Sequence, residues 1–336
     1  MIGLGQVGLS GHLPAWKKRP DFQIVAGVDS SEERIGLFKQ AVPEAATFKN
    51  LEDCLSGAQL DFVDIATPPH THFALIQSAL QAGLHVLCEK PLVLKKEELA
   101  RLKSDRQKSG KVLMSVHNWK YAPICRKLME LLNSRTIGEI QRMDWYVLRS
   151  GPAVTTLSDK ENWRLDPARA GGGILVDHGW HAFYLVLEWM GLQPSRIEAI
   201  LENRHSEDLP VEDTAKVRIE FSGGPAPKVA EVFLTWASRL RKNSGLIEGS
   251  QGRIHIEDDR LIVDKRGLAP ETLGFEQPLS QGSHHPEWFQ YVIDEFLTEL
   301  TDPALAGKNL EIAEMCLTLI EKSKESSEKS ASIPLS

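Results

Sequence analysis

No Cys-x-x-Cys pair and no zinc-type ligand spacing occur in this chain of 336 residues. Its four cysteines, Cys54, Cys88, Cys125 and Cys316, stand apart, which argues against a disulfide or zinc framework and predicts reduced thiols in a cytoplasmic protein. Cys88 is expected to be a small buried residue, not a nucleophile. No secretory signal and no membrane-spanning run is found; the longest apolar segments are strand-sized. Positive charge is also short, with 39 basic residues against 46 acidic ones and a net charge of −7. That argues against non-specific nucleic-acid binding and against an anionic membrane partner. No repeat of solenoid period is present. What remains is an ordinary globular composition, 42% hydrophobic and 25% charged, long enough for two domains with separate cores.

The chain opens Met1-Ile2-Gly3-Leu4-Gly5-Gln6-Val7-Gly8, which contains Gly-x-Gly-x-x-Gly. Glycines permit a tight turn and let backbone N–H groups and a helix start approach a pyrophosphate. Gly3, Gly5, Gln6, Val7 and Gly8 are therefore candidate cofactor contacts. Leu9 to Lys18 is predicted helical, and Phe22 to Val28 is a β-type run ending in Asp29. Asp29 follows Gly8 by 21 residues, near the spacing of the acid that accepts from ribose hydroxyls. A carboxylate there repels a 2′-phosphate, and Ser30 and Ser31 follow it rather than a basic pair. NAD is expected over NADP, with Arg34 the nearby base that argues the other way. Only Met1 and Ile2 precede the loop, too few for a first strand. The expectation is that the biological chain begins upstream, since a lost central strand exposes sheet edges.

A regular alternation follows. Glu32–Ala41, Leu51–Ser56, Phe73–Ala82 and Glu97–Ser109 are predicted helices; Phe62–Ala66, the run at Leu84–Cys88 and Lys111–Val116 are predicted strands. Repeated strand–helix units imply right-handed crossovers and a doubly wound parallel sheet. The run Leu84-His85-Val86-Leu87-Cys88 ends abruptly in Glu89-Lys90-Pro91. Ligands of such sheets bind beyond the carboxyl ends of strands, which makes Lys90 a candidate proton carrier. The bland alternative is a surface Glu–Lys pair in a loop.

The character changes near residue 120. Ile124–Asn133 is predicted helical and Ile140–Arg149 β-like. After Asn162-Trp163-Arg164 comes Gly171-Gly172-Gly173-Ile174-Leu175-Val176-Asp177-His178-Gly179-Trp180-His181, leading into an apolar helix through Met190. Then the chain is strand-rich from Ser195 to Val263, which points to an antiparallel or mixed sheet. Pro286–Leu300 and Leu310–Lys324 are predicted helices. For the stretch from Lys322 to Ser332, order and a disordered tail both stay open.

The glycine loop, Asp29, Thr67-Pro68-Pro69 with His72, Glu89-Lys90-Pro91, His117-Asn118, Trp163-Arg164 and the Gly-Gly-Gly-x-x-x-Asp-x-Gly-x-His run occur in this order. The chain resembles the glucose–fructose oxidoreductase / inositol dehydrogenase / rhizopine oxidoreductase family (Gfo/Idh/MocA) over nearly its whole length. The resemblance implies an α/β protein. Residues 1–119 would form a Rossmann NAD(P)-binding domain, and 120–336 an α/β domain with a large open, mostly antiparallel sheet. It implies hydride transfer between NAD(P) and a sugar, cyclitol or polyol derivative. It further implies Lys90, Asp177 and His181 as the catalytic set, cofactor contacts from Thr67, Pro68, His72, Glu89, Lys90 and Asn118, and a homodimer or homotetramer. The family often has Asn-Arg-Arg-Phe where this chain has Asn118-Trp119-Lys120-Tyr121, so a contact from the first arginine is missing.

Oxidising an alcohol needs a base for the hydroxyl proton. His181 is the candidate, because imidazole titrates near neutrality. Asp177, four residues earlier, shares its face if both lie on one helix, and could orient the ring or bind a substrate hydroxyl. Lys90 would donate to the reacting oxygen. The bland reading makes Asp177 a helix cap and His181 a satisfied partner. His178 either tunes the substrate or caps the helix. Trp163 and Arg164 form a candidate site lip whose guanidinium binds cofactor or substrate oxygens; a surface ion pair beside a core tryptophan is the alternative. His284, with His285, either reaches the substrate or lies in a solvated loop. Arg239, Arg241 and Lys242 either favour an acidic or phosphorylated substrate or are a solvated loop. A metal assembled from Asp177, His178, His181, His284 and His285 is not expected, because nicotinamide chemistry with a lysine needs none. Two other functions stay open: an enzyme that retains NAD for epimerisation, elimination or glycoside cleavage, and a non-catalytic dinucleotide sensor.

Overall fold

The first turn of the chain shows why its glycines stand where they do. Ile2 bridges Val28 on one side and Ile65 on the other, both in parallel, so Met1–Gly3 acts as the central strand of the first sheet. Gly3 then turns with φ +87, where a Cβ would sit 2.6 Å from Ala66 O. A Cβ on Gly8 would sit 2.3 Å from Gly3 O. Both positions admit only glycine because backbone meets backbone there.

The computed structural model describes residues 1–154, 162–205, 208–223, 227–282, 284–302, 304–305 and 307–335. Contacts divide them into two units. The first comprises Met1–Asn118, Val154–Trp163 and Gly282–Glu314; the second comprises Trp119–Ala153, Arg164–Gln281 and Met315–Ser336. The first unit thus also takes in residues from the segment that the sequence assigns to the second domain.

In the first unit, β1 (Ala26–Val28), β2 (Ala46–Phe48), β3 (Phe62–Ile65), β4 (His85–Cys88) and β5 (Leu113–Ser115) run parallel in the order β2-β1-Ile2-β3-β4-β5. The crossovers are α1 (Leu13–Trp16), α2 (Glu32–Ala41), α3 (Leu51–Gly57), α4 (His72–Gln81) and α5 (Lys96–Ser109). Local chemistry sets their ends: Ser31 and Asn50 accept N-terminal amides of α2 and α3, and Gly110 closes α5 in the left-handed region. The first helix departs from expectation. Val7–His12 is a π-type turn that precedes α1. Pro14 has no N–H to give to residue 10, and the wider turn accommodates that loss. The strand expected over Phe22–Val28 shrinks to three residues.

In the second unit, α6 (Pro123–Asn133), α7 (Pro167–Ala170), α8 (Ile174–Asp177) and α9 (Gly179–Met190) accompany a nine-stranded sheet. Its strands are β6 (Ile140–Leu148), β7 (Pro194–Glu202), β8 (Thr214–Phe221), β9 (Lys228–Thr235), β10 (Lys242–Gly249), β11 (Gly252–Glu257), β12 (Arg260–Lys265), β13 (Glu271–Gly274) and β14 (Ile333–Pro334). The order is β13-β12-β11-β10-β6-β9-β8-β7-β14, with β6 and β9 parallel and every other pair antiparallel. One face is buried: Met143, Trp145, Val147, Ala230, Val232 and Leu234 point inward against α9. Helix α9 is buried almost all round; its Phe183, Leu185 and Val186 each contribute roughly 1.5–3 kcal/mol of burial. That packing leaves His181 little freedom to move.

Helix α10 (Pro286–Thr301) belongs to the first unit, where Phe289 and Phe296 pack on Trp16 and Phe62. Helix α11 (Lys308–Lys329) runs through the stretch left open by the sequence. The end is ordered: Ile333 pairs with Ile197 of β7, and Ser326 Oγ donates to Ala331 O while accepting from Ala199 N–H. None of the described helices is long and apolar enough to cross a membrane.

Candidate active site

The residues expected to meet a nucleotide lie at the strand ends of the first unit. Asp29 follows β1 and is 9% exposed. Its Oδ2 accepts from Leu4 N–H at 2.8 Å and its Oδ1 from Ser31 N–H at 2.9 Å, with the Arg34 guanidinium 4.0 Å away. The acid read as a ribose partner therefore also holds the glycine turn. Thr67 Oγ1 accepts from Thr71 Oγ1 at 2.7 Å. The His72 imidazole is fully buried between Thr67 O (2.8 Å) and Pro91 O (2.9 Å). Burial lowers its pKa, against the pull of those carbonyls. It thus ties the Thr67-Pro68 turn to the Lys90-Pro91 element.

Glu89 is held from two sides. Its Oε2 accepts from Lys90 N–H at 2.9 Å, and its Oε1 lies 3.1 Å from His12 Nε2. His12 Nδ1 meets Asp64 at 2.9 Å, and Trp16 Nε1–H donates to the same carboxylate at 2.7 Å. Burial pushes the His12 pKa down, but Asp64 and Glu89 outweigh it and raise it to about 9. The imidazole also stacks on Phe289, 3.9 Å between ring centroids. A charged His12 therefore ties the first helix to β3 and to the end of β4. Sequence reasoning missed His12, whose partners are 52 and 77 residues away.

Two observations fit a dinucleotide here. Gly3 and Gly8 are glycine because of the protein's own backbone, but a Cβ on Gly5 would meet nothing within 4 Å. Gly5 is the position at which a pyrophosphate would come closest. Asn118, just beyond β5, has a buried Oδ1 without a hydrogen-bond partner among the described residues, so an acceptor is left over where the strands end.

The second unit carries the acid–histidine run. The glycines before it are set by packing: a Cβ on Gly173 would sit 1.9 Å from Glu212 O, and Glu212 Oε1 accepts from Gly173 and Leu175 N–H at 2.8 and 3.1 Å. The expected single helix is broken. Asp177 ends α8, His178 is the junction, and His181 lies in the first turn of α9. Asp177 Oδ2 is 3.4 Å from His178 Nδ1 and 3.8 Å from Arg164 Nε. Arg164 thus faces Asp177 within the second unit, while Trp163 belongs to the first. His284 also lies in the first unit, beside Gly11, and His285 stacks on Trp288 at 3.5 Å.

His181 is 7% exposed. Its Nδ1 is 2.8 Å from Tyr184 Oη, which accepts from Trp119 N–H at 2.9 Å. The Trp119 indole stacks on the imidazole, 4.3 Å away and 7° from parallel, and the Arg149 guanidinium lies 5.8 Å over that indole. Trp119 stands where the family pattern has its first arginine. Tyr184, one helical turn after His181, was readable from spacing; Trp119 and Arg149 reach the site only through tertiary packing.

All four cysteines are buried and free, and burial raises each thiol pKa, Cys88 far above its ordinary value. None is poised as a nucleophile.

Comparison with known proteins bears on the family and the fold. The GFO/IDH/MocA model described as an oxidoreductase family with an NAD-binding Rossmann fold matches residues 1–117, and the GFO/IDH/MocA C-terminal domain model matches 125–255. A myo-inositol 2-dehydrogenase of Thermotoga maritima is 25% identical over 100% of this chain and 97% of its own length. The D-glucoside 3-dehydrogenase of Escherichia coli is 28% identical over 54% of this chain and 50% of its own length. The crystal structure of an NAD binding oxidoreductase from Klebsiella pneumoniae has a TM-score of 0.83 at 17% identity, covering 100% of this chain and 97% of that one, and so shares the fold.

Proposed function

The chain belongs to the GFO/IDH/MocA oxidoreductase family, and from that premise we propose that it oxidises a secondary alcohol of a sugar, cyclitol or polyol derivative with NAD. The observation that carries this reading is the seating of His181 between Tyr184 and Trp119. With Nδ1–H donating to Tyr184 Oη, the ring presents the Nε2 lone pair and can take the substrate's hydroxyl proton. Tyr184 Oη has two lone pairs, so it accepts from Trp119 N–H as well. Asp177 binds a neighbouring hydroxyl or steadies the substrate beside Arg164. Lys90 donates to the reacting oxygen and offsets charge developing on it. Bound at the strand ends, the nicotinamide supplies the hydride acceptor.

Residues Gly3, Gly5, Gln6, Val7 and Gly8 would hold the pyrophosphate, with Thr67, Pro68 and Asn118 along the rest of the dinucleotide. Asp29 supports NAD over NADP, since its carboxylate would repel a 2′-phosphate. The relatives named for myo-inositol and D-glucosides support a polyhydroxylated substrate. The outer face of the nine-stranded sheet exposes Tyr146 (41%) and Ile200 (53%), which supports a homo-oligomer packed through that face. A panel of sugars, cyclitols and sugar acids with NAD, followed at the nicotinamide absorbance, tests the reading. Reduction of NAD by at least one of them is expected, and reduction by none would overturn it.

A further inference from the structure

Arg149 is 2% exposed, yet its guanidinium forms no ion pair among the described residues. Its Nη1 donates to Leu148 O at 2.8 Å and to Lys242 O at 3.3 Å, which anchors that nitrogen to β6 and β10. Its Nε has no partner among the described residues. Two neighbours share the condition. Trp236 follows Thr235, whose carbonyl accepts from Arg149 N–H, and the Trp236 Nε1–H is buried and has no partner among the described residues. Asn243 lies opposite Val147 in the β10–β6 ladder; it is fully buried, and neither its Oδ1 nor its Nδ2 has a partner among the described residues. Buried polar groups are normally satisfied, and three unsatisfied ones at one end of the inner sheet face are unusual.

Most of the unused groups are donors. Arg149 Nε–H and Trp236 Nε1–H are donors only, and Asn243 adds a further donor in its Nδ2 beside one acceptor, its Oδ1. With Nη1 committed to carbonyls, the Nε/Nη2 edge remains, which is the edge that grips a planar carboxylate in two parallel hydrogen bonds. The guanidinium lies over the indole that carries His181. Burial and the nearby charge of Arg241 lower the Arg149 pKa to about 10, against Asp258 and Asp177; it stays cationic at neutral pH, and an incoming anion would relieve the repulsion from Arg241. A dianionic phosphate would need more cationic charge than one guanidinium supplies, whereas a single carboxylate matches it.

We infer that Arg149, with Trp236 and Asn243, forms a carboxylate subsite beside Trp119 and His181, so that the preferred substrate is a sugar acid or cyclitol acid rather than a neutral polyol. The inference rests on the dehydrogenase reading of the same site for its substrate, but not for its binding. Its test compares D-glucuronate and D-gluconate with D-glucose and myo-inositol, on the full chain with NAD. Turnover and tryptophan-fluorescence binding are both measured, for the native protein and for Arg149→Met, Arg149→Lys and Trp236→Phe. The acids are expected to bind and turn over more efficiently than their neutral counterparts. Arg149→Met should lower the acid-to-neutral ratio of kcat/KM by about 10–100-fold, mainly through KM, and Arg149→Lys should restore only part of it. Trp236→Phe, which removes one N–H and keeps the ring, should raise KM for the acids several-fold and serves if both Arg149 variants unfold. Oxidation of neutral sugars with no preference for the acids, unmoved by Arg149→Lys or Trp236→Phe, would overturn the inference and leave the dehydrogenase standing. Arg149-dependent binding of the acids without turnover of any probe would support the subsite and remove the dehydrogenase. Neither binding nor turnover would overturn both.

Discussion

The indole of Trp119 lies flat against the imidazole of His181, 4.3 Å between centroids and 7° from parallel, and its backbone N–H bonds the tyrosine that His181 also contacts. One residue thus positions the candidate base twice, through its ring and through its main chain. Trp119→Ala removes only the ring, so it should cost turnover about 10-fold through loss of orientation. Tyr184→Phe removes the hydroxyl that both groups use and should cost more. Steady-state kcat for the two variants checks the order; equal and near-normal rates would detach both residues from the mechanism.

The buried His12–Asp64–Glu89 cluster gives a pH signature. The folded pKa of His12, about 9, lies above its ordinary 6.5. Its contribution to stability is therefore full below about pH 6.5 and is lost as pH rises through about 9. Glu89, held below its ordinary value against the cost of burial, acts with the opposite sign and loses its contribution in acid. Thermal unfolding should show Tm falling between pH 7 and 9, and His12→Leu should abolish that slope. The variant leaves Asp64 and Glu89 without their cation and should cost about 3–5 kcal/mol.

The proposed preference for NAD over NADP rests on Asp29. Asp29→Ser removes the charge that would repel a 2′-phosphate, so the NAD-to-NADP ratio of Kd should narrow by about 10-fold or more. Because Asp29 also accepts from Leu4 N–H, the variant should weaken both cofactors somewhat. Tighter binding of NADP than NAD by the unaltered protein would refute the assignment.

Ile200 is an outward-facing apolar residue on β7, 53% exposed. If the outer sheet face packs against a second copy, Ile200→Asp should shift the mass measured by light scattering toward the monomer. An unaltered protein that is already monomeric would remove the oligomer proposal.

The parts of this protein that were legible in its sequence are those that local chemistry determines. Gly3, Gly8 and Asp29 mark a turn and a strand end within thirty residues, and Glu89-Lys90-Pro91 announces the end of β4 by breaking an apolar run. The four-residue spacing of Asp177 and His181 was legible too, but the break at His178 was not, because it depends on α8 lying against Glu212. β2 escaped notice because it is three residues long with no buried side chain. His12, Trp119 and Arg149 were illegible for a common reason: each acts through a partner far along the chain, and no local pattern distinguishes them from core residues.

The central claim is that His181 takes the proton and Lys90 supports the oxygen of the reacting alcohol. The direct measurement is kcat of His181→Ala and Lys90→Ala with a substrate that the unaltered protein oxidises, alongside the Kd for NAD. The account predicts losses of about 10²–10⁴ in kcat for each, with NAD affinity nearly unchanged. Because both act on one transition state, the double variant should lose less than the product of the two. Near-normal turnover in His181→Ala and Lys90→Ala would contradict it.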